Sequence, residues 1–173
     1  MSPTPFTLRD GTEVLVRPIE PGDKAKLADG LRRLSERTIR RRFLAAKPRF
    51  SSTELRYLTE VDGVDHVAIV AVLADDPDAF VGVARFVRMT GDPTTAEAAI
   101  VVADHLQGQG LGRELGRRLA DDARARGVKR FTATLLGTNG ASHRLFEAIS
   151  ERVSARYGGG LEELVAELEP LAA

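Results

Sequence analysis

Glycines at alternate positions, Gly108, Gly110 and Gly112, stand between an apolar run and the start of a predicted helix. Glycine has no Cβ, so the main chain can turn sharply there and approach a ligand closely. The first N–H groups of a helix lack partners within it, and with the helix dipole they attract negative charge. Arg113 adds a cation that can pair with a phosphate. The segment Gln107–Arg113 therefore predicts a binding site for an anion such as a diphosphate.

The spacing of these glycines excludes two common phosphate sites. A dinucleotide fingerprint needs glycines at relative positions one, three and six, and here Arg113 or Leu115 stands where the third glycine should be. A P-loop needs Gly-Lys-Ser/Thr after four intervening residues, and the chain contains no such sequence. The pattern that is present is Gln-x-x-Gly-x-Gly, which by itself fits a tight turn as well as it fits a ligand site.

The first third of the chain predicts a β-hairpin followed by helices, over residues 6–60. Two alternating runs, Phe6–Arg9 and Thr12–Arg17, flank Asp10-Gly11, a pair that favours a tight hairpin turn. Capping residues then predict three helices. These are a helix capped by Asp23 and running to about Leu34, a helix from Ser35 through Phe43, and a helix from the capping box Ser51-x-x-Glu54 through Glu60.

The middle of the chain changes to apolar runs of β type, separated by turn residues, which predict a central antiparallel sheet. The predicted strands are Val67–Ala74, Phe80–Val87, Ala96–Ala103 and, after a helix from Leu111 to Gly127, Arg130–Leu136. A further helix is predicted from Ala141 to about Val153. In the tail, Ser154–Tyr157 and Leu161–Leu168 predict two strands around a triple glycine, although the second segment could equally be helical.

Composition narrows the classes of function. A chain of 173 residues with 43% hydrophobic content fits one domain, 1–173. Lys+Arg and Asp+Glu both number 25, so no basic field favours nucleic acid or anionic membrane. Without cysteine there is no thiolate ligand or nucleophile, and His66, His105 and His143 lack metal-ligand spacing, so no metal is expected.

The N-terminus lacks signal-peptide features and no stretch approaches roughly 20 apolar residues, so we expect a cytoplasmic protein.

The glycine segment, Gln107-Gly-Gln-Gly-Leu-Gly112, resembles the cofactor loop of the GNAT superfamily of N-acetyltransferases. The resemblance continues through Ala120-x-x-x-Ala-x-x-x-Gly, Asn139 and Ser142-His-Arg-Leu-Phe146-Glu, and covers about residues 96–149. The N-terminal part is similar to bacterial protein lysine acetyltransferases of that superfamily. Its matching segments are Leu8–Ile19, Arg33–Arg37 and Arg40–Leu44.

This resemblance implies an α+β fold with a mixed, mostly antiparallel sheet, flanked by helices and opened by a central V-shaped split. The split would separate Ala96–Val102 from Arg130–Leu136 and hold acetyl-CoA, within a cofactor-binding core of residues 67–153. Residues 154–173 would form a segment on the acceptor side. The cofactor-binding residues implied are Ile100, Val101, Val102, Gln107, Gly108, Gln109, Gly110, Leu111, Gly112, Arg113, Asn139 and Phe146.

The resemblance also indicates a base. An amine nucleophile, with a pKa of about 10.4 for lysine, must lose a proton before it attacks a thioester. Glu97 interrupts an apolar run, and related enzymes carry a glutamate on this strand, so we expect a partly buried Glu97 to act as base through a water. The alternative is a solvent-facing strand glutamate. Phe146 stands where many members of the superfamily place a tyrosine that acts as the general acid, so we assign no general acid to this chain.

The predicted function is transfer of an acetyl group from acetyl-CoA to a primary amine, with a protein lysine as one candidate acceptor. Two alternatives stay open. One is a small-molecule acetyltransferase acting on a polyamine, an amino acid or an antibiotic, and the other is a non-catalytic acyl-CoA-binding module. The acceptor cleft is assembled from distant loops, so the sequence does not name the amine, and nothing in it predicts an oligomeric state.

Overall fold

An 8-stranded mixed sheet forms the middle layer of the structure. The computed structural model describes residues 2–168 of the chain. The strands are β1 (Thr4–Thr7), β2 (Glu13–Pro18), β3 (His66–Leu73), β4 (Phe80–Met89), β5 (Asp92–Val102), β6 (Arg130–Leu136), β7 (Arg152–Gly158) and β8 (Leu161–Glu167). Their order across the sheet is β1-β2-β3-β4-β5-β6-β8-β7, and every neighbouring pair is antiparallel except β5 and β6. The predicted α+β fold with a mostly antiparallel sheet is confirmed.

Helices cover both faces of this sheet. They are α1 (Lys24–Arg32), α2 (Glu36–Phe43), α3 (Ser52–Thr59), α4 (Leu111–Ala125) and α5 (Gly140–Ile149). Because side chains alternate along a strand, β3 buries Ile69 in the core that contains α4, and Val70 in a second core with Leu27 of α1. None of the helices among the described residues combines the length and apolar character needed to cross a membrane.

The local start signals of two helices are confirmed. The Ser35 side chain accepts a hydrogen bond from the Thr38 N–H at the start of α2, and Ser51 forms a complete capping box with Glu54 at the start of α3. Asp23 is the N-cap residue of α1, as predicted, but its side chain forms no capping hydrogen bond with the helix. Its carboxylate instead accepts two hydrogen bonds from Arg17, at 2.7 and 2.9 Å.

The connection of the first hairpin is longer than predicted, and the last helix ends earlier than predicted. The connection from β1 to β2 runs over residues 8–12 and is closed by a bond from the Leu8 N–H to the Thr12 carbonyl, 2.8 Å. The predicted hairpin is confirmed, since β1 and β2 pair antiparallel. Its connection is longer than the predicted Asp10-Gly11 turn, and Leu8, predicted in the first strand, lies in the connection with its side chain buried in the core. Helix α5 ends at Ile149, because Ser150 is already extended.

The tail forms strands, and the helical alternative for residues 161–168 is wrong. Strand β8 lies between β6 and β7, and its alternate residues Leu164 and Ala166 are buried, the period expected of a strand. Residues 169–173 of the predicted acceptor-side segment lie outside the described residues.

The V-shaped split is confirmed between β5 and β6. These parallel strands pair only where Thr95–Glu97 meets Arg130–Thr132. Beyond this point β5 stays paired with β4 as far as Val102, and β6 stays paired with β8 as far as Leu136. Each strand therefore keeps one free edge, and the two edges face each other across a cleft.

Candidate active site

A cleft of about 650 Å³ opens where β5 and β6 diverge. Its walls come from both strands, from the glycine loop, from α5 and from the C-terminal end of α2. All the predicted cofactor residues except Gln109 and Leu111 line it. The fold thus brings together segments that lie far apart in the chain, from Thr38 of α2 to Ala148 of α5.

The glycine loop, which lines the cleft, has a backbone conformation that is unfavourable for residues with a Cβ. Gly108 has φ +75° and Gly110 has φ +96°, both in the left-handed region, which costs other residues roughly 1–2 kcal/mol. Gly112 has no such φ, and a Cβ there would lie 3.6 Å from Val102 Cγ2, an ordinary contact. The backbone therefore requires glycine at the first two positions.

The main-chain N–H groups of this loop are largely unpaired. From Gly108 to Arg113, no N–H donates to another residue of the described chain, whereas the Glu114 N–H begins the helical ladder on the Gly110 carbonyl, 3.1 Å. The Gln107 N–H is bonded to the Asp104 carbonyl, 3.3 Å, so this one predicted donor is already used. The remaining N–H groups and the start of α4 form a concave site suited to an anion.

Other predicted residues hold the loop in place. The Gln107 side chain donates to the Val102 carbonyl at 3.0 Å and to Thr38 Oγ1 at 3.2 Å. The Gln109 carbonyl accepts a bond from the Arg9 N–H, 3.2 Å. The Leu111 side chain is fully buried, so only its main chain can meet a ligand.

Asp104 ties α2 to the glycine loop, a contact that sequence reasoning missed. Its carboxylate accepts hydrogen bonds from the Ser35 N–H, the Ser35 hydroxyl and the Thr38 hydroxyl, at 2.6–2.9 Å. Burial disfavours the charged carboxylate, but these hydrogen bonds outweigh it and hold the pKa of Asp104 below its ordinary value. The sequence shows the cap at Ser35 but gives no sign of a partner 69 residues away.

The free edge of β5 is the second feature suited to an extended ligand. Ile100, Val101 and Val102 are half-buried on it, and their side facing β6 has no strand partner among the described residues. An amide-bearing chain can complete such an edge by main-chain hydrogen bonds. Across the cleft, Phe146 is buried in the wall, and Asn139 caps α5 by accepting a bond from the Ser142 N–H, 3.3 Å.

Glu97 lies at the apex of the cleft, as the last residue of β5 that pairs with β6. Its side chain is exposed, so the predicted partial burial is wrong. The charge of Glu97 acts on Arg42 of α2: burial lowers the pKa of the Arg42 guanidinium, and the charge of Glu97 opposes that effect. A carboxylate that is open to water at the apex of a cleft can exchange protons with a molecule bound there.

No tyrosine takes the acid position. The chain has two tyrosines, and neither lines the cleft. The Tyr57 ring packs against the His66 ring with centroids 4.8 Å apart. Tyr157 donates a hydrogen bond to Glu162, 3.1 Å. Phe146 keeps the position predicted for it, in the cleft wall.

A second polar cluster lies on the α5 side of the sheet, where sequence reasoning expected only an ordinary histidine. Glu162 of β8 is buried, and His143 Nδ1 forms a hydrogen bond with its carboxylate. This bond raises the pKa of His143 although burial of the ring opposes it, and Glu147 contributes from 3.4 Å. His143 lies on α5 and Glu162 on β8, so no local sequence pattern predicts that the two side chains meet.

The raised pKa of His143 predicts a pH-dependent stability. The ion pair stabilises the fold fully below the unfolded-state pKa of about 6.5, and this contribution is lost as pH rises through the folded-state pKa. We expect Glu162→Gln to lower the free energy of unfolding more at pH 6 than at pH 9, measured by urea denaturation. Glu147→Gln, which removes an exposed and more distant carboxylate, serves as the control. An equal loss for Glu162→Gln at both pH values would contradict the assignment.

The split sheet, the loop of unpaired N–H groups and the carboxylate at the apex together form a cleft suited to an extended, anionic, amide-containing ligand. Comparison with known proteins gives the family. Residues 36–150 match the sequence model of the acetyltransferase (GNAT) family, and the chain belongs to that family. Members of this family use acetyl-CoA, so the predicted family and its cosubstrate are confirmed.

The relatives agree with the similarity predicted from the N-terminal residues. The chain is 35% identical over 157 residues to "Acetyltransferase Pat" of Mycolicibacterium smegmatis, a match that covers 86% of this chain and 44% of that protein. It is 31% identical over 140 residues to "Acetyltransferase PA5475" of Pseudomonas aeruginosa, covering 80% of this chain and 75% of that protein. The chain therefore spans less than half the length of the mycobacterial relative.

A solved structure shows the same fold. The GNAT domain of S. lividans PAT superposes with a TM-score of 0.85 at 28% sequence identity, and the match covers 96% of this chain and 97% of that domain.

Proposed function

We propose that this domain transfers an acetyl group from acetyl-CoA to the side-chain amine of a protein lysine. The observation that carries the proposal is the run of unpaired N–H groups from Gly108 to Arg113, which opens into the same cleft as Glu97. The choice of lysine rests on the N-terminal residues that resemble bacterial protein lysine acetyltransferases.

In this proposal each wall of the cleft has one task. The N–H groups of Gly108 to Arg113 and the start of α4 bind the pyrophosphate of the cosubstrate. The free edge of β5 at Ile100–Val102 aligns its amide arm by main-chain hydrogen bonds. Asn139 and Phe146 bound the arm from the opposite side. Bound acetyl-CoA supplies a thioester carbonyl at the apex of the split.

Glu97 then takes the proton that the lysine ammonium must lose. It acts directly or through one water, since its exposed carboxylate borders the cleft. N–H groups near Ile100, where the strands diverge, polarise the carbonyl. The leaving thiolate, from a thiol with a pKa of about 8.5, departs without an acid, which is consistent with a phenylalanine at position 146.

The experiment incubates the purified chain with acetyl-CoA and a cell lysate, and identifies acetylated products by mass spectrometry. We expect new acetyl groups on protein lysines, together with thiol release, and their absence with Glu97→Gln. Spermidine and free amino acids are assayed in parallel. Faster turnover on those small amines would overturn the choice of lysine, and binding of acetyl-CoA without thiol release on any amine would overturn the transferase.

Two further statements stay predictions. One domain over residues 1–173 and a cytoplasmic location are both expected from the sequence.

A further inference from the structure

A second, smaller cavity lies beside the cleft, between the sheet and the helices α1 to α3. It has a volume of about 60 Å³, several times the roughly 10–15 Å³ that one water needs, so it can hold a group of a few heavy atoms. Its walls are mostly apolar. They include Leu27, Leu31, Phe43, Phe50, Phe80 and Val83.

Two arginines, Arg85 and Arg42, also line this cavity. Arg85, on β4, has only 6% of its surface exposed. Its Nη1 donates to the Leu58 carbonyl, 3.2 Å, and lies 3.1 Å from His66 Nε2. Its Nε and Nη2 form no hydrogen bond with any residue from 2 to 168. The guanidinium is therefore buried with part of its donor capacity unused.

The charged groups at this cavity are positive. Burial and the neighbouring charge of Arg42 lower the pKa of Arg85 to about 10, so Arg85 still carries a full charge at neutral pH. Burial together with the charge of Arg85 lowers the pKa of His66 to about 4, so His66 is neutral at pH 7 and adds no charge to the cavity. None of the described residues that line the cavity carries a carboxylate.

Neither guanidinium forms an ion pair with a carboxylate of residues 2–168. Glu97 favours the charge of Arg42 from the cleft side, but it does not line the cavity. Buried charges in proteins are normally paired, because an isolated one costs several kcal/mol. Arg85 is buried and Arg42 is half-buried, so the cavity offers an anion two neighbouring cations between apolar walls.

We propose that this cavity, the Arg42–Arg85 pocket, binds a carboxylate carried on a short apolar chain. The guanidinium groups would hold the carboxylate, since their planar donors match its two oxygens. The apolar walls would hold the methylene groups. A bulky or cationic ligand does not fit the volume or the charge.

The pocket is placed to receive such a group from the cleft. Arg42, Phe43 and Val101 line both spaces. In the register of β4 and β5, Arg85 lies opposite Ala99, two residues from Glu97. The carboxylate therefore has two possible sources: the far end of a carboxyacyl group on CoA, or a free short-chain acid.

The test for the free acid uses the whole chain without any CoA ester, so it does not depend on the proposed function. Thermal unfolding is followed with butyrate, and with butyramide as the neutral isostere, at constant ionic strength. We expect Tm to rise saturably with butyrate and not with butyramide. Arg85→Gln should abolish the rise. Arg40→Gln, which removes an exposed charge of α2 that lines neither space, should keep it.

The test for the donor compares succinyl-CoA with butyryl-CoA by calorimetric titration, and this part rests on the proposed function. We expect succinyl-CoA to bind at least about tenfold more tightly, and the preference to vanish in Arg85→Gln and in Arg42→Gln. Testing both variants keeps the result interpretable if one of them does not fold, as judged by circular dichroism.

Each result has a defined meaning. A preference for succinyl-CoA identifies the acyl donor as the source of the carboxylate, and a butyrate effect without that preference identifies a free acid. Equal responses to butyrate and butyramide, combined with equal affinities for the two CoA esters, would overturn the pocket. A failure of both CoA esters to bind while butyrate still stabilises the chain would overturn the proposed transferase and leave the pocket standing.

Discussion

Replacing Glu97 by Gln should lower kcat for acetyl transfer by about 10²–10³-fold and leave the Kd for acetyl-CoA unchanged. Glutamine keeps the size of the side chain and its ability to hydrogen-bond, but it cannot accept the proton that the amine must lose. Glu97 borders the apex of the cleft and lies away from the N–H groups of the glycine loop, so cosubstrate binding does not depend on its charge. Thiol release gives kcat, and calorimetric titration gives Kd.

The pH dependence separates a lost base from a lost fold. Without a base, transfer needs an amine that is already deprotonated, so the rate of Glu97→Gln should climb tenfold per pH unit toward the amine pKa of about 10.4. Glu97→Asp, which keeps a carboxylate on a shorter stem, is the conservative control and should retain an intermediate rate. Full turnover of Glu97→Gln across the pH range would remove Glu97 from the mechanism.

Replacing Gly110 by Ala weakens acetyl-CoA binding by about tenfold or more. Gly110 has φ +96°, and an alanine in this left-handed region is strained by roughly 1–2 kcal/mol. Relief of the strain rotates the peptide planes on either side and turns their N–H groups away from the cleft. A loss of 1.4 kcal/mol in binding is a factor of ten in Kd, measured by calorimetric titration.

The same helix supplies the matched control. Gly127, just past the end of α4, also has a positive φ, +77°, and a Cβ there would meet nothing within 4 Å, as at Gly110. Gly127→Ala should therefore lower Tm about as much as Gly110→Ala, yet leave the Kd for acetyl-CoA unchanged. If the two variants bound acetyl-CoA equally well, the glycine loop would not be the site of the pyrophosphate.

The sequence predicted the elements whose signals are local. The N-cap residue Ser35 and the capping box of Ser51 and Glu54 correctly predicted the starts of two helices, because a capping side chain bonds to N–H groups within three residues of it. Strand β6 was predicted with its observed bounds, Arg130–Leu136, because alternate burial leaves a period of two in the sequence. The glycine loop was predicted because left-handed backbone strongly favours one residue type.

The predictions that failed depended on distant contacts. The Asp23 side chain was expected to cap a helix, but its carboxylate accepts hydrogen bonds from Arg17 of β2 instead. Leu8 was expected in a strand before a tight turn, but the core buries it in the connection instead. Glu97 was expected to be partly buried within an apolar run, but its side chain is exposed where it borders the cleft. A local sequence pattern does not show which distant helix or strand packs against a residue.

By itself, therefore, the sequence determined the helices, most of the strands, the position of the glycine loop and the family, because the signal for each lies in residue types a few positions apart. Only the tertiary structure decided that β8 lies between β6 and β7, that Asp104 ties α2 to the loop, and that Arg42 and Arg85 share an apolar pocket. The physical reason is one of range. Backbone preferences act over a few bonds, whereas burial and charge depend on every element that packs against a residue, however far away it lies in the chain.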